Sequence, residues 1–168
     1  FDLSNAIGLS AHATSIKLAL VTAGTSKWTG LQISNLSGDL VGIDELTFHV
    51  WAVDVGVNQG PLTGLNWTHV AGSGITLSDP ATTFTISGNA QIGLAGFVMV
   101  QGAFSIQKTQ LSDTGAAFTN ADALLVSLSD LDVFAGVGGV YDTHSTAAYT
   151  DDTFDLSNAI GLSAHAAS

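Results

Sequence analysis

Hydrophobic and polar positions alternate along much of this chain. From Ala90 to Ile106, AQIGLAGFVMVQGAFSI, the even positions Ile92, Leu94, Val98, Val100, Phe104 and Ile106 share one face, with Gly96 and Gly102 in the same register. A period of two sustained over this length predicts β structure. As a single strand the segment would span roughly 55 Å, well beyond common strand lengths, so a bulge or bend is expected at Gly96 or Gly102. Phe97 and Met99 occupy the other face, which predicts burial on both sides. A second stretch, LTFHVWAVDVGVN from Leu46 to Asn58, places Leu46, Phe48 and Val50 on one parity and Val53, Val55 and Val57 on the other. The change of parity predicts a β-bulge near Ala52. A third, SLSDLDVFAGVGGV from Ser127 to Val140, alternates Leu128, Asp130 and Asp132 before a glycine-rich exit.

Turn-forming residues crowd Asn58 to Gly74 and Val140 to Thr153, which are expected to be loops. Helix signals are poor, and only Ala116 to Leu125 suggests a short helical turn. The fold class expected is therefore all-β, a long-stranded β-sandwich or a β-solenoid-like repeat unit that stacks head to tail.

The ends of the chain repeat each other. FDLSNAIGLSAHATS from Phe1 and FDLSNAIGLSAHAAS from Phe154 agree at fourteen of fifteen positions, Thr14 against Ala167 being the exception. The offset from Phe1 to Phe154 is 153 residues, which reads as the period of a tandem array, so residues 1–153 form one repeat unit and 154–168 begin the next. An engineered strand donor is the alternative origin. A chain opening on Phe1 with no basic, apolar leader also reads as an interior or processed piece of a longer product. A weaker echo, LVGIDELTF from Leu40 against LVSLSDLDV from Leu125, suggests two degenerate halves within the period. Copies that accept each other's first segment make an open head-to-tail contact. The apolar residues expected to carry it are Phe1, Leu3, Ile7 and Leu9, with their copies Phe154, Leu156, Ile160 and Leu162; the two segments are expected to adopt one conformation with equivalent contacts.

Composition narrows the partners. Three lysines, no arginine and fourteen acids give a net charge of -11, yet hydrophobic residues reach 46%, enough to offset the ordering entropy of a fold. With so few cations, nucleic acid is excluded as a partner. The longest apolar run, Ile92 to Val100, is far shorter than the ~20 residues of a membrane helix, so no membrane insertion is expected. Cysteine is absent.

The phrases TFTISGNAQIGLAGFVMVQGAFSI, LLVSLSDLDVFAGVGGVYDT and LVGIDELTFHVWAVDVGVNQ resemble the tandem glycine-rich β repeats of giant secreted or cell-surface bacterial proteins, of the adhesin and RTX-associated type. The resemblance lies in texture and order of phrases. It implies a structural or adhesive module in an extracellular filament or giant adhesin, whose partners are neighbouring copies of the repeat. The nonapeptide of calcium-binding β-rolls is missing, so calcium rolls are not implied.

Chemistry is sparse. His12, His49, His69, His144 and His165 are unaccompanied by a nucleophile elbow, a zinc signature or a phosphate-binding loop, so no enzyme is expected and no cofactor. His49 reads as a half-exposed strand residue. Asp142, Asp151 and Asp152 crowd one loop with His144, and Asp130 and Asp132 lie two apart on a strand. A solvated acidic face is the simpler reading; calcium held by Asp142, Asp151 and Asp152 is the ligand alternative. The competing function is a carbohydrate-binding β-sandwich using Trp28, Trp51 or Trp67, with Trp67 in LNWTH best placed to stack on a sugar, although an aromatic covering its own loop's apolar base is the commoner outcome.

Overall fold

A computed structural model describes residues 6–43, 45–146 and 148–167. The described chain is almost entirely β. Its strands are β1 (Gly8–Ala23), β2 (Ser26–Val41), β3 (Leu46–Gln59), β4 (Phe84–Leu94), β5 (Val98–Leu111), β6 (Ala121–Val137), β7 (Val140–Asp142), β8 (Thr153–Asp155) and β9 (Ile160–Ala166). Seven form one open antiparallel sheet in the order β1-β2-β3-β4-β5-β6-β9, and β7 pairs with β8 as a separate hairpin. The all-β class is thus shown, as one sheet that does not close on itself. No helix among them is long and apolar enough to cross a membrane.

The alternating run from Ala90 to Ile106 is two strands, not one. β4 and β5 turn back at Ala95 and Gly96, both at positive φ (47° and 69°), and Leu94 lies opposite Val98. Three residues, Ala95 to Phe97, connect the paired Leu94 and Val98, and a connection of odd length preserves the parity of the alternation, so a period of two runs through the turn unbroken. In β3 the register shifts between Trp51 and Asp54 around Ala52, whose φ is 51°, as the change of parity predicts. Asn35 in β2 and Asp130 in β6 also have positive φ at register shifts. Each irregularity re-phases its strand and keeps the apolar residues on one side. The expected helical turn at Ala116 is instead a loop closed by Asp113, which accepts from the Ala117 amide at 2.9 Å. The two echoing phrases do not occupy equivalent places. Leu40 to Phe48 runs through the end of β2, a turn and the start of β3, whereas Leu125 to Val133 lies within β6.

The two faces of the sheet differ. On one, residues 60–83 and the hairpin with its loop, residues 140–155, lie over the strands. Trp67 is wholly buried there: its indole Nε1 donates to Asn58 Oδ1 at 2.7 Å, and its own amide donates to the Leu77 carbonyl at 2.8 Å. Gly30 leaves the room it needs, since a Cβ there would lie 2.5 Å from Trp67 Cε2. Asn58 Oδ1 also accepts from the Leu65 amide at 2.8 Å, and its Nδ2 donates to the carbonyls of Leu65 (2.8 Å) and Asp79 (3.1 Å), so one buried side chain anchors the covering segment. Met99 and Phe134 are buried under the glycine-rich entry to β7, and the Tyr141 hydroxyl donates to the Ile92 carbonyl at 2.7 Å.

The other face carries rows of aliphatic residues in register. One row runs Ile16, Ile33, Val55, Ile86, Ile106, Val126 and another Phe48, Ile92, Val100, Val133, Ala164. No described segment of the chain lies over it.

Candidate functional site

The repeated segment lies at both edges of the sheet. β1 opens the sheet and β9, its copy, closes it at the far side on β6. Five strands separate them, each antiparallel to the next, so β1 and β9 run in the same direction. They also present the same face. A closed-face row passes from Ser10 through Asp39, His49, Gln91, Gln101 and Asp132 to His165, residue paired with residue across every strand. His165 is the copy of His12, which shares its side of β1 with Ser10. The row therefore returns to the repeated sequence with the same side chains facing the same way, two residues further along.

The contacts of the two copies are not equivalent. β1 pairs with β2 through the whole of Gly8 to Ala23, whereas β9 pairs with Leu131 to Val137 of β6. A strand has two hydrogen-bonding edges, and the two copies use different neighbours. His165 Nδ1 lies 2.7 Å from Asp132 Oδ1, matching the 2.7 Å between His49 Nδ1 and Asp39 Oδ1, so a cross-strand Asp–His pair occurs both inside the unit and beneath its terminal strand. The paired residue keeps Asp132 from being an isolated charge in its row.

Of the residues expected at the junction, Phe1 and Leu3 lie outside the described residues. Ile7 and Leu9 are exposed at the β1 edge, and Ile160 and Leu162 are exposed on β9. Phe154 sits in β8, its ring edge-to-face with Tyr141 at 5.3 Å, and Leu156 is half-buried just beyond. These two belong to the hairpin rather than to the sheet edge. Sequence reasoning missed Ile16, Leu18 and Leu20 on β1 and Leu124, Val126 and Leu128 on β6, all exposed. Their signal is the alternation in IKLAL and LLVSL.

The three carboxylates expected to hold calcium point to separate partners. Asp142 Oδ1 accepts from the His144 amide at 2.9 Å, Asp151 accepts from the Thr146 hydroxyl at 3.0 Å, and Asp152, nearly buried, accepts from Gln91 Nε2 at 3.1 Å. No group of three or more His, Cys, Asp or Glu side chains suited to a metal forms among the described residues. Gln101 Nε2 donates to the Asp152 carbonyl at 3.2 Å, so the loop is pinned to the sheet by two glutamines. No family model matches the chain. Neither a curated protein nor a solved structure matches it either.

Around that anchor the aromatic groups are tightly held. Tyr149 stacks on His49 at 4.1 Å and tilts against Trp51 at 5.9 Å. Burial, with Asp39 accepting from its hydroxyl and the charge of Asp152 nearby, pushes the Tyr149 phenol up to about 12. Burial raises Tyr141 to about 12 as well, with Asp152 again adding to the effect. Trp67, the expected sugar platform, has no exposed surface; its ring is consumed by Gly30, Ile75 and Asn58. What the edges offer chemically is unpaired strand backbone, which takes another strand.

Proposed function

We propose that the chain is a structural repeat module of an extracellular or cell-surface filament or giant adhesin, in which successive copies join head to tail into one continuous sheet. The observation that carries this reading is the pair β1 and β9. Nearly identical segments stand at opposite edges of one sheet, run in the same direction and turn the same side chains to the same face. Such an arrangement is related by translation, and a translational contact does not close. β9 then occupies the place of the next unit's first strand, and the period supplies six long strands, an even number, so that the antiparallel alternation continues without a fault. A sheet built by repetition of this kind is the ladder form of the expected solenoid-like stack. The extracellular setting rests on the resemblance of the glycine-rich phrases. The sugar-binding alternative loses its best residue with the burial of Trp67.

The test is a chain carrying residues 1–153 ahead of the full 168. Small-angle scattering should find the longest dimension increased by roughly 29 Å, six strands at about 4.8 Å each, with the cross-section unchanged. The doubled chain should also melt above the single unit, because each unit gains a neighbour. Two independently tumbling units with an unchanged melting temperature would refute the reading.

A further inference from the structure

β9 covers only part of its neighbour. It pairs with Leu131 to Val137, and over Ala121 to Ser129 β6 pairs with β5 alone. On that stretch Leu124, Val126 and Leu128 are 61–67% exposed, while at the opposite edge of the molecule Ile16, Leu18 and Leu20 of β1 are 64–72% exposed. These are two three-residue aliphatic ladders, each lacking a neighbour on its outer side.

We infer that the outer edge of β6, from Ala121 to Val137, is the docking site for the whole of β1 from a second copy of this chain, in one defined register. The proposal rests on the head-to-tail reading and adds to it the acceptor strand, the donor strand and their alignment. The register is fixed by β9, which already makes the first seven pairs with residues identical to those of β1 or, at Ile160, with the copy of Ile7 just before it. Continued along the strands, Leu128 falls opposite Ile16 of the second copy, Val126 opposite its Leu18 and Leu124 opposite its Leu20. Ala121, where β6 begins, meets Ala23, where β1 ends.

The irregular backbone agrees independently. From the row of Ser10 to the row of Ile16, β1 takes six steps, and β6 takes six from Asp132 to Val126. Between the same rows β4 and β5 take five, from Gln91 to Ile86 and from Gln101 to Ile106. β1 and β6 therefore share the same re-phased length, and the apolar residues of both change parity at the same level, around Thr14 and Asp130. Laid side by side they match above and below that level, whereas a register one residue away would set Leu128 against Ser15. The second copy's β1 makes every pair that β9 makes and then covers the rest of β6, so it displaces β9 with a net gain of strand pairing and of buried aliphatic surface.

The chain has no cysteine, which makes engineered disulfides unambiguous. Leu18→Cys and Val126→Cys are placed together in the full chain; within one molecule the two sit on strands five places apart, roughly 24 Å, far outside disulfide reach. The protein is unfolded and refolded at high concentration in a glutathione buffer, so that β9 is free to exchange, and run on a non-reducing gel. A ladder of dimers, trimers and higher species is expected, against dimers at most from either single-cysteine chain. The pair Leu20→Cys with Leu128→Cys, four residues out of register, should give about tenfold less ladder, since directly opposed positions alone have disulfide geometry. All four positions are exposed, and circular dichroism matching the parent establishes that the variants fold. Absence of a ladder, or equal ladders from both pairs, overturns the docking site. If the doubled chain nevertheless extends by one sheet period, the head-to-tail reading survives that loss; if it does not, both fall together.

Discussion

The two faces of this sheet are built from the same strands and finished in opposite ways. On the closed face, side chains are buried because two covering segments are tied down by hydrogen bonds from Asn58, Gln91, Gln101 and Tyr141. On the open face, aliphatic residues lie in unbroken rows and no described segment of the chain is tied over them. The contrast separates two uses of apolar area. The closed face stabilises the unit, whereas the open rows, and most of all their ends at β1 and β6, have surface still to bury. Stability and association should therefore respond to different substitutions.

Removing the centre of the closed face should have the largest effect. Trp67→Ala deletes a fully buried ring and strands Asn58 Oδ1 without its indole donor, so a loss of about 3–5 kcal/mol is expected by denaturant unfolding. A loss below about 1 kcal/mol would mean that residues 60–83 do not hold the sheet.

Alkaline pH should loosen the other cover. The Tyr141 and Tyr149 phenols are raised to about 12 in the fold against an ordinary value near 10, so the folded state holds these protons more tightly than the unfolded chain. Their contribution is complete below pH 10 and is lost as pH rises through about 12. Thermal melting followed from pH 9 to 12 should show that fall, reduced in a Tyr149→Phe variant; an identical fall in the variant would remove Tyr149 from the explanation.

The smallest effect is expected on the open face. Leu20→Ser, at a position 72% exposed, should change the stability of the dissociated chain by no more than about 0.5 kcal/mol. A loss comparable to that of Trp67→Ala would show that the open rows already serve the single unit, and the contrast between the faces would collapse.

Much of the sheet could be read from alternation, because a period of two records which side of a strand is apolar. The parity change at Ala52 disclosed its bulge. The hairpin at Ala95 to Phe97 left no such mark, since a three-residue connection returns the chain with its parity intact. Trp67 stayed open between two readings for a different reason: Gly30, which makes room for its ring, is distant in sequence, and nothing local in LNWTH distinguishes an aromatic that covers a core from one that faces solvent. The duplicated ends pointed to the two edges of the sheet, but duplication singles out only Phe1 to Ser15 and its copy. The exposed ladder that continues it, Ile16 to Leu20, lies just past the duplication, and its match on β6 emerges only when both strands are set in one register. The three aspartates near the hairpin looked like a cluster because they are close in sequence; the turn between Asp142 and Thr153 sends Asp152 down to Gln91 and leaves Asp151 with Thr146.

In the proposed array, the row that leaves the repeated sequence at Ser10 and regains it at the copy of His12 gives successive units an inclined lattice. Each period advances roughly 29 Å across the strands and slips roughly 7 Å along them, so successive units are offset by about 13° from the perpendicular. A line of paired residues that starts near one end of the strands drifts by two residues at every junction and leaves by the other end after about eight units, roughly the span of one sixteen-residue strand. The margins of the ribbon are then stepped rather than straight, and no two neighbouring units present their loops at the same height.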